Sequence, residues 1–401
     1  MTSLDLPTEK VDVLIVGAGP AGTSTALHLL QASPHWADRM ALVDKAVHPR
    51  HKLCGGGVTP FGVQILARLG LAFEPPHLPV TEIRLVYGRQ RFALRDESIL
   101  RVVRREEFDH WLLQKVAGQG VTVHQGEAVH AVRRYPTHVE VLTARRRFEA
   151  RVLVAADGAN SLVRRQLQLA RPGHTARLLE VLTPEDPASC FEFQERVAVF
   201  DFSPMAHGLQ GYYWDFPSFI QGRAFMNRGV YDARIHARLG RASLRQQLTR
   251  ALASRGREGA AEGVQGHPIR WFDPGTPLSA PRVLFVGDAA GVDPLFGEGI
   301  AFALAYGDAA AAEIQAAFAR GDFSFAGYRR RLLGHPILGQ LRRRGQLARL
   351  LYWLAWRPRL AALAWATAPW LLAAIAHLRP RYVPIRDRRM VRLSPGPASG
   401  T

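Results

Sequence analysis

An α/β fold with a parallel sheet is predicted by three segments far apart in the sequence. Each is an apolar, β-rich run that passes straight into a glycine turn, at residues 11–22, 152–161 and 283–300. Their spacing implies that the domain built on this sheet is discontinuous, with a second unit inserted between its pieces.

The first segment runs from Val11 to Val16 into Gly17, Gly19, Pro20, Ala21 and Gly22, and a helix is predicted over 23–31. Gly17 permits the tight turn, Gly19 lets the backbone approach a pyrophosphate, and Gly22 lets helix and strand pack closely. Unpaired amides and the positive end of the helix dipole favour the anionic phosphates. A second strand over 40–44 ends in Asp44, beside Lys45, at the spacing of a ribose-hydroxyl partner.

A loop follows with Lys52, Cys54, Gly55, Gly56 and Gly57, then a short helix around 61–69. Strands of another sheet are predicted within 80–100. Arg105 opens an amphipathic helix with Phe108, Leu112 and Val116 at helical spacing. Strands near 121–124 and 138–142 precede the return to the first sheet at 151–156. Asp157 and Gly158 then lie at the sheet's carboxyl edge, where ligands bind in open α/β sheets; Ser161 reads as a helix cap. Residues from about 172 to 275 mix strand-like stretches, aromatics and turns, which suits a sheet laid over the cofactor. After the strand 283–286, Gly287 and Asp288 offer a carboxylate to a ribityl-like polyol. Gly297, Gly299 and Ile300 open an alanine-rich helix over 299–317, whose amides suit the pyrimidine edge of a flavin, where reduction puts negative charge. Three such segments in this order indicate FAD.

Composition sets the outer bounds. With 47% hydrophobic and 21% charged residues, the 401-residue chain reads as globular, with two or three subdomains. Two distant cysteines, Cys54 and Cys190, give no disulfide framework and fit a reducing cytosol. Residues 1–7 lack a basic region followed by an apolar stretch, so no signal peptide is expected. The net charge of +18 comes almost wholly from arginine, since lysine occurs only at 10, 45, 52 and 115. No nucleic-acid module is visible, so no nucleic-acid partner is expected. The 15 histidines form no metal-ligand pattern, so no metal is expected either.

The chain resembles the geranylgeranyl reductase family, within the larger glutathione-reductase-like flavoprotein group that also holds aromatic hydroxylases and flavin halogenases. The glycine segments, Asp44 and Arg105 are shared by the whole group. The run Lys52-Leu-Cys54-Gly55-Gly56-Gly57 and the motif Tyr212-Tyr-Trp214-Asp-Phe216-Pro217 are particular to the reductases. The resemblance implies a Rossmann-like FAD-binding domain with an inserted, mostly antiparallel β-sheet substrate domain and a C-terminal helical region. It puts Cys54, Gly55, Gly56, Tyr212 and Trp214 at the reactive face, and Tyr212, Trp214, Phe216 and Pro217 along an isoprenoid cavity. One departure stands out: the family's following Gly-x-Gly reads Asn227-Arg-Gly229 here. Alternation along a strand puts Tyr212, Trp214 and Phe216 on one face. Such a wall suits a hydrocarbon, which gains about 0.8 kcal/mol per methylene buried.

The activity expected is reduction of polyprenyl C=C bonds, by hydride from flavin N5 with protonation of the other carbon. No second dinucleotide fingerprint is present, so NAD(P)H would bind transiently or a reduced electron-transfer protein would serve as donor. A monooxygenase or halogenase, and a membrane-attached redox flavoprotein without turnover of its own, share the same FAD motifs.

The domain reading is 1–75, 101–171 and 276–320 for the FAD-binding domain, and 76–100 with 172–275 for the substrate sheet. Residues 321–393 form a basic, apolar helical region, and 394–401 a disordered tail. From Tyr328 on, arginine clusters alternate with apolar residues, and 360–378 is uncharged, with a length close to the ~20 residues of a bilayer span. An interfacial helix pair on an anionic, cytoplasmic membrane face is expected, with soluble packing or a true span as alternatives.

Overall fold

The computed structural model describes residues 6–169, 175–239, 242–366 and 390–392. The chain enters with β1 (Thr8–Val16), turns at Gly17 into α1 (Pro20–Ala32) and returns as β2 (Met40–Val43), parallel to β1. The helix starts at Pro20 because the ring's fixed φ and missing N–H suit the first helical position. β3 (Gly57–Val58) and α2 (Pro60–Arg68) lead into the long hairpin of β4 (His77–Tyr87) and β5 (Gln90–Val103). α3 (Arg105–Ala117) buries Phe108, Leu112 and Val116 as their spacing requires. β6 (Thr122–His124), β7 (Val129–Arg134), β8 (Val139–Thr143) and β9 (Arg147–Ala155) follow, β9 lying parallel to β1.

Ser161 caps the short α4 (Leu162–Gln166), its Oγ accepting the Arg164 amide. The chain then builds β10 (Thr175–Pro184), α5 (Phe191–Gln194), β11 (Val197–Asp201), β12 (Gly211–Ile220), β13 (Arg223–Asp232), α6 (Leu244–Ala253) and β14 (Gln265–Arg270). β15 (Ser279–Ala280), β16 (Val283–Phe285) and α7 (Ile300–Arg320) complete the first domain. Beyond them come α8 (Tyr328–Gly334), α9 (Gln340–Trp353), α10 (Pro358–Ala366) and β17 (Met390–Arg392).

Two sheets result. The first runs β15-β16-β9-β1-β2-β6, parallel from β16 to β6, with β8 and β7 added antiparallel beside β9. The second runs β14-β10-β13-β12-β11-β4-β5-β17 and is antiparallel except for β11 against β4. α7 lies against α1 closely enough that Ser24 Oγ donates to the Leu304 carbonyl at 2.8 Å. A Cβ on Gly307 would stand 2.4 Å from that hydroxyl, so this crossing demands glycine.

The C-terminal helices are packed rather than appended. Tyr328, Leu332 and Leu341 join the core of the first sheet. Tyr352, Ala361 and Trp365 join that of the second, where Trp365 stacks on Tyr87 at 5.4 Å between centroids. No helix among the described residues is long and apolar enough to cross a membrane. The part of the 360–378 stretch beyond Ala366, and the tail at 394–401, lie outside the described residues.

Candidate active site

One cavity of about 1320 Å³ runs between the two sheets. Its first half is built on the parallel sheet's carboxyl edge: Gly17, Gly19, Pro20, Ala21, Asp44, Lys45, Arg105, Asp157, Gly158, Gly287, Asp288, Gly297, Gly299 and Ile300 all line it. Gly22, also expected at the cofactor, does not line the cavity; a Cβ there would stand 1.9 Å from the Gly17 carbonyl, so its part is helix–strand packing. Neither α1 nor α7 has a side-chain cap or an acid in its first turn, which leaves both N-termini electropositive toward the cavity.

The carboxylates here are held by backbone. Asp44 accepts the Ala18 amide at 2.7 Å and the Ala46 amide at 2.8 Å. Asp157 accepts the Val163 amide at 3.0 Å, while its other oxygen is buried without a partner. Burial pushes the carboxyls of Asp157 and Asp288 up; the Lys52 and Arg105 charges oppose this at Asp288. An orphaned buried acceptor, a glycine cradle and two helix N-termini in a cavity of this size fit a hydroxyl-rich, diphosphate-bearing cofactor, and FAD is such a group.

A basic cluster stands between the cradle and the loop of Cys54. Arg105 donates to both oxygens of the fully buried Asp109 at 2.8 Å, and Arg50 donates to the same carboxylate at 3.0 Å. Lys52 is hydrogen-bonded to His267. Burial, against the pull of Asp288, brings the Lys52 ammonium down to about 8; burial and then Lys52 bring the His267 imidazole down to about 4. His267 is therefore neutral at neutral pH, free to accept from the ammonium.

The second half of the cavity is apolar. Tyr212, Trp214 and Phe216 line it from β12, with Phe200 from β11 and Leu100 from β5. Phe216 sits 5.0 Å from Phe200 and 6.3 Å from Trp214, ring to ring. The Cys54, Gly55, Gly56 loop crosses in front of this wall. Its backbone passes so near that a Cβ on Gly55 would stand 3.0 Å from the Phe216 ring. At Gly56, with φ +77°, a Cβ would stand 2.0 Å from the Val103 carbonyl. Pro217, expected beside the substrate, is buried but does not line the cavity, because alternation turns it to the other face of β12. The Asn227-Arg-Gly229 departure is resolved by packing. Gly229 lies under the Trp214 ring, where a Cβ would come within 2.2 Å, whereas Asn227 receives the Trp214 indole N–H at 2.9 Å.

Residues 10–313 match the FAD binding domain family. The chain belongs to that family. It is an FAD-dependent oxidoreductase. Its relatives include the geranylgeranyl diphosphate reductase of Rhodobacter capsulatus, 29% identical over 75% of this chain and 74% of that one. The menaquinone reductase of Mycolicibacterium smegmatis is 28% identical over 79% of each. A geranylgeranyl bacteriochlorophyll reductase-like protein from Thermoplasma acidophilum has the same fold, with a TM-score of 0.70, 21% identity and coverage of 87% and 88%. The resemblance read from the glycine segments and the aromatic motif is borne out.

Several residues of this flavoprotein's site were not anticipated from sequence. Gln340, Arg343, Arg344 and Leu347 of α9 line the cavity, although the arginine clusters there suggested a membrane face. Partly buried Arg344 donates to Asp293 at 2.8 Å and to Glu298 at 2.7 Å, and Thr59 donates to the other Glu298 oxygen at 2.6 Å. These bonds clamp the loop ahead of α7 between α9 and the start of α2. The i, i+3, i+7 recurrence of 340, 343 or 344, and 347 marked one face of a helix, but nothing local named its partner.

Proposed function

We propose that this flavoprotein reduces C=C bonds of a polyprenyl chain carried by a geranylgeranyl lipid, a quinone or a pigment. The observation that carries the reading is the continuity of one cavity, a diphosphate cradle at one end and an aromatic wall at the other. The names of two relatives, a geranylgeranyl diphosphate reductase and a menaquinone reductase, support it. Bound in the cradle and reduced by the electron donor, the flavin would supply a hydride to one alkene carbon while the other takes a proton. Tyr212, Trp214 and Phe216 hold the chain by dispersion and keep water out. The Tyr212 hydroxyl donates to the Phe296 carbonyl, which fixes its ring against the loop before α7. Burial raises the Tyr212 hydroxyl's pKa well above its ordinary value, so it stays neutral and the wall carries no charge there. Electrons come from NAD(P)H bound transiently or from a reduced electron-transfer protein.

The test is the mass of geranylgeranyl diphosphate and of menaquinone after incubation with anaerobically reduced, FAD-loaded protein. A gain of paired hydrogens is expected. An added oxygen once air is admitted, without that gain, would move the protein to the monooxygenases.

The reading includes attachment to an anionic membrane surface. Leu350 (57% exposed), Trp353, Trp356, Leu360 and Leu363 (64% exposed) are apolar and accessible on α9, α10 and the turn between them, alongside Arg357 and Arg359. Replacing Leu350 and Trp353 together by serine is expected to weaken sedimentation with anionic vesicles by about tenfold, with the fold kept. Equal binding by both proteins would refute a membrane face at α9.

A further inference from the structure

Behind the Cys54 loop lies a titratable group that the hydride chemistry does not use. Glu180, on β10, is 2% exposed. One of its oxygens, Oε1, accepts from Asn227 Nδ2 at 3.3 Å; Oε2 is buried with no partner. The Asn227 side chain also donates to the Cys54 carbonyl at 3.0 Å and accepts the Trp214 indole N–H at 2.9 Å. One buried carboxyl is thus joined, through one amide side chain, to the thiol-bearing loop and to the indole that walls the cavity. Glycine at 227 could make none of these side-chain bonds.

We propose that Glu180 is a positioning residue: through Asn227 it holds the 54–57 loop against Trp214, tightly when ionised and loosely when protonated. This rests on the proposed function only in taking the Cys54 loop as part of the site. Arg104 at the N-cap of α3 and Glu106 on α3 are the charged groups that face the carboxyl. Asn227 on β13, the Cys54 loop and Gln265, opposite in register on β14, are the neutral groups around it. Burial raises the carboxyl to about 7, against Arg104 and the hydrogen bond from Asn227. Asn227 donates to the carboxyl and to the Cys54 carbonyl at once, and its bond to the carboxyl is stronger when that group is ionised, so ionisation favours the docked loop.

The experiment is hydrogen exchange of the 54–57 amides in apo protein, followed by mass spectrometry from pH 6 to 8. The exchange rate of the wild type is divided at each pH by that of Glu180→Gln, so that intrinsic pH effects cancel. The quotient is expected to fall about fivefold across this range, because only the wild type tightens its loop. A quotient that stays constant within a factor of 1.5 would overturn the proposal. Folding of the variant is checked by stability against pH. A folded-state pKa raised from 4.5 to about 7 gives wild-type stability that is full below 4.5 and lost as pH rises through 7. Glu180→Gln should therefore gain stability relative to wild type as pH rises from 5 to 8. Asn227→Gly, which leaves the carboxyl in place, is expected to lose at least threefold in protection at pH 8; unchanged protection would equally overturn the strut. Neither readout needs FAD or a prenyl substrate. Failure here leaves the reductase reading intact, and failure of prenyl reduction leaves an exchange result standing.

Discussion

Gly17→Ala is expected to weaken FAD binding at least 100-fold, about 2.7 kcal/mol, while most of the fold persists. Gly17 has φ +110°, and a Cβ there would stand 2.3 Å from the Ala156 carbonyl. That carbonyl cannot yield cheaply. The Ala156 amide donates to Val16 at 2.8 Å and the Gly17 amide to Val43 at 2.8 Å, so the turn is pinned to the ends of β1, β2 and β9 at once. The added methyl must shift the turn that aims the N-terminus of α1 at the diphosphate, and electrostatic aim is lost over ångströms. Flavin retained on purification and the affinity of the apoprotein for added FAD measure the effect, with circular dichroism reporting the fold. Gly70→Ala is the control. Its φ is also positive, at +73°, but a Cβ there meets nothing within 4 Å, so flavin affinity should stay within threefold of wild type. Should Gly17→Ala bind FAD as tightly as Gly70→Ala, the cradle has been misread.

Arg344→Leu is expected to cost about 3–5 kcal/mol of stability at neutral pH, because it takes the counter-ion from buried Asp293 and partly buried Glu298. Asp293 is fully buried, and among the described residues it accepts, besides Arg344, the amides of Leu295 and Phe296, at 2.8 and 3.1 Å. Although burial opposes it, the Asp293 and Glu298 charges hold the guanidinium's pKa above its ordinary value, so the arginine is charged at every working pH. Without it two carboxylate charges are left side by side with no counter-ion, which opposes folding for as long as both are charged. The deficit against wild type should be largest near pH 8 and shrink toward pH 5, measured by urea unfolding at both. Arg344→Lys keeps the charge on a shorter reach and should recover part of the loss. A deficit that does not change with pH would mean that the loss comes from packing alone. Flavin affinity should fall with stability, since the clamped loop carries Gly297 and Gly299 of the cradle.

The cradle was legible because its requirements are local. A buried parallel strand that turns into a phosphate-facing helix needs glycine within a few residues, and the three turns at Gly17, Gly158 and Gly287 all have positive φ. The aromatic wall was legible for a similar reason: period-two alternation put Tyr212, Trp214 and Phe216 on one face. The same alternation removes Pro217, whose inclusion came from its place in a motif rather than from its place on a strand.

Neighbours along the chain set the FAD-binding framework and the face of β12 that meets the cavity. Tertiary structure alone decided that α9 closes the cavity through Arg344, that His267 meets Lys52, and that Asn227 ties Glu180 to Cys54 and Trp214. Apart from the Asn227–Trp214 bond across neighbouring strands, each of these contacts joins residues 46 to 215 positions apart. An arginine on an amphipathic helix carries the same local pattern whether it faces lipid, solvent or a buried carboxylate. Only the packing of the two sheets, which removes those groups from water, assigns each its partner.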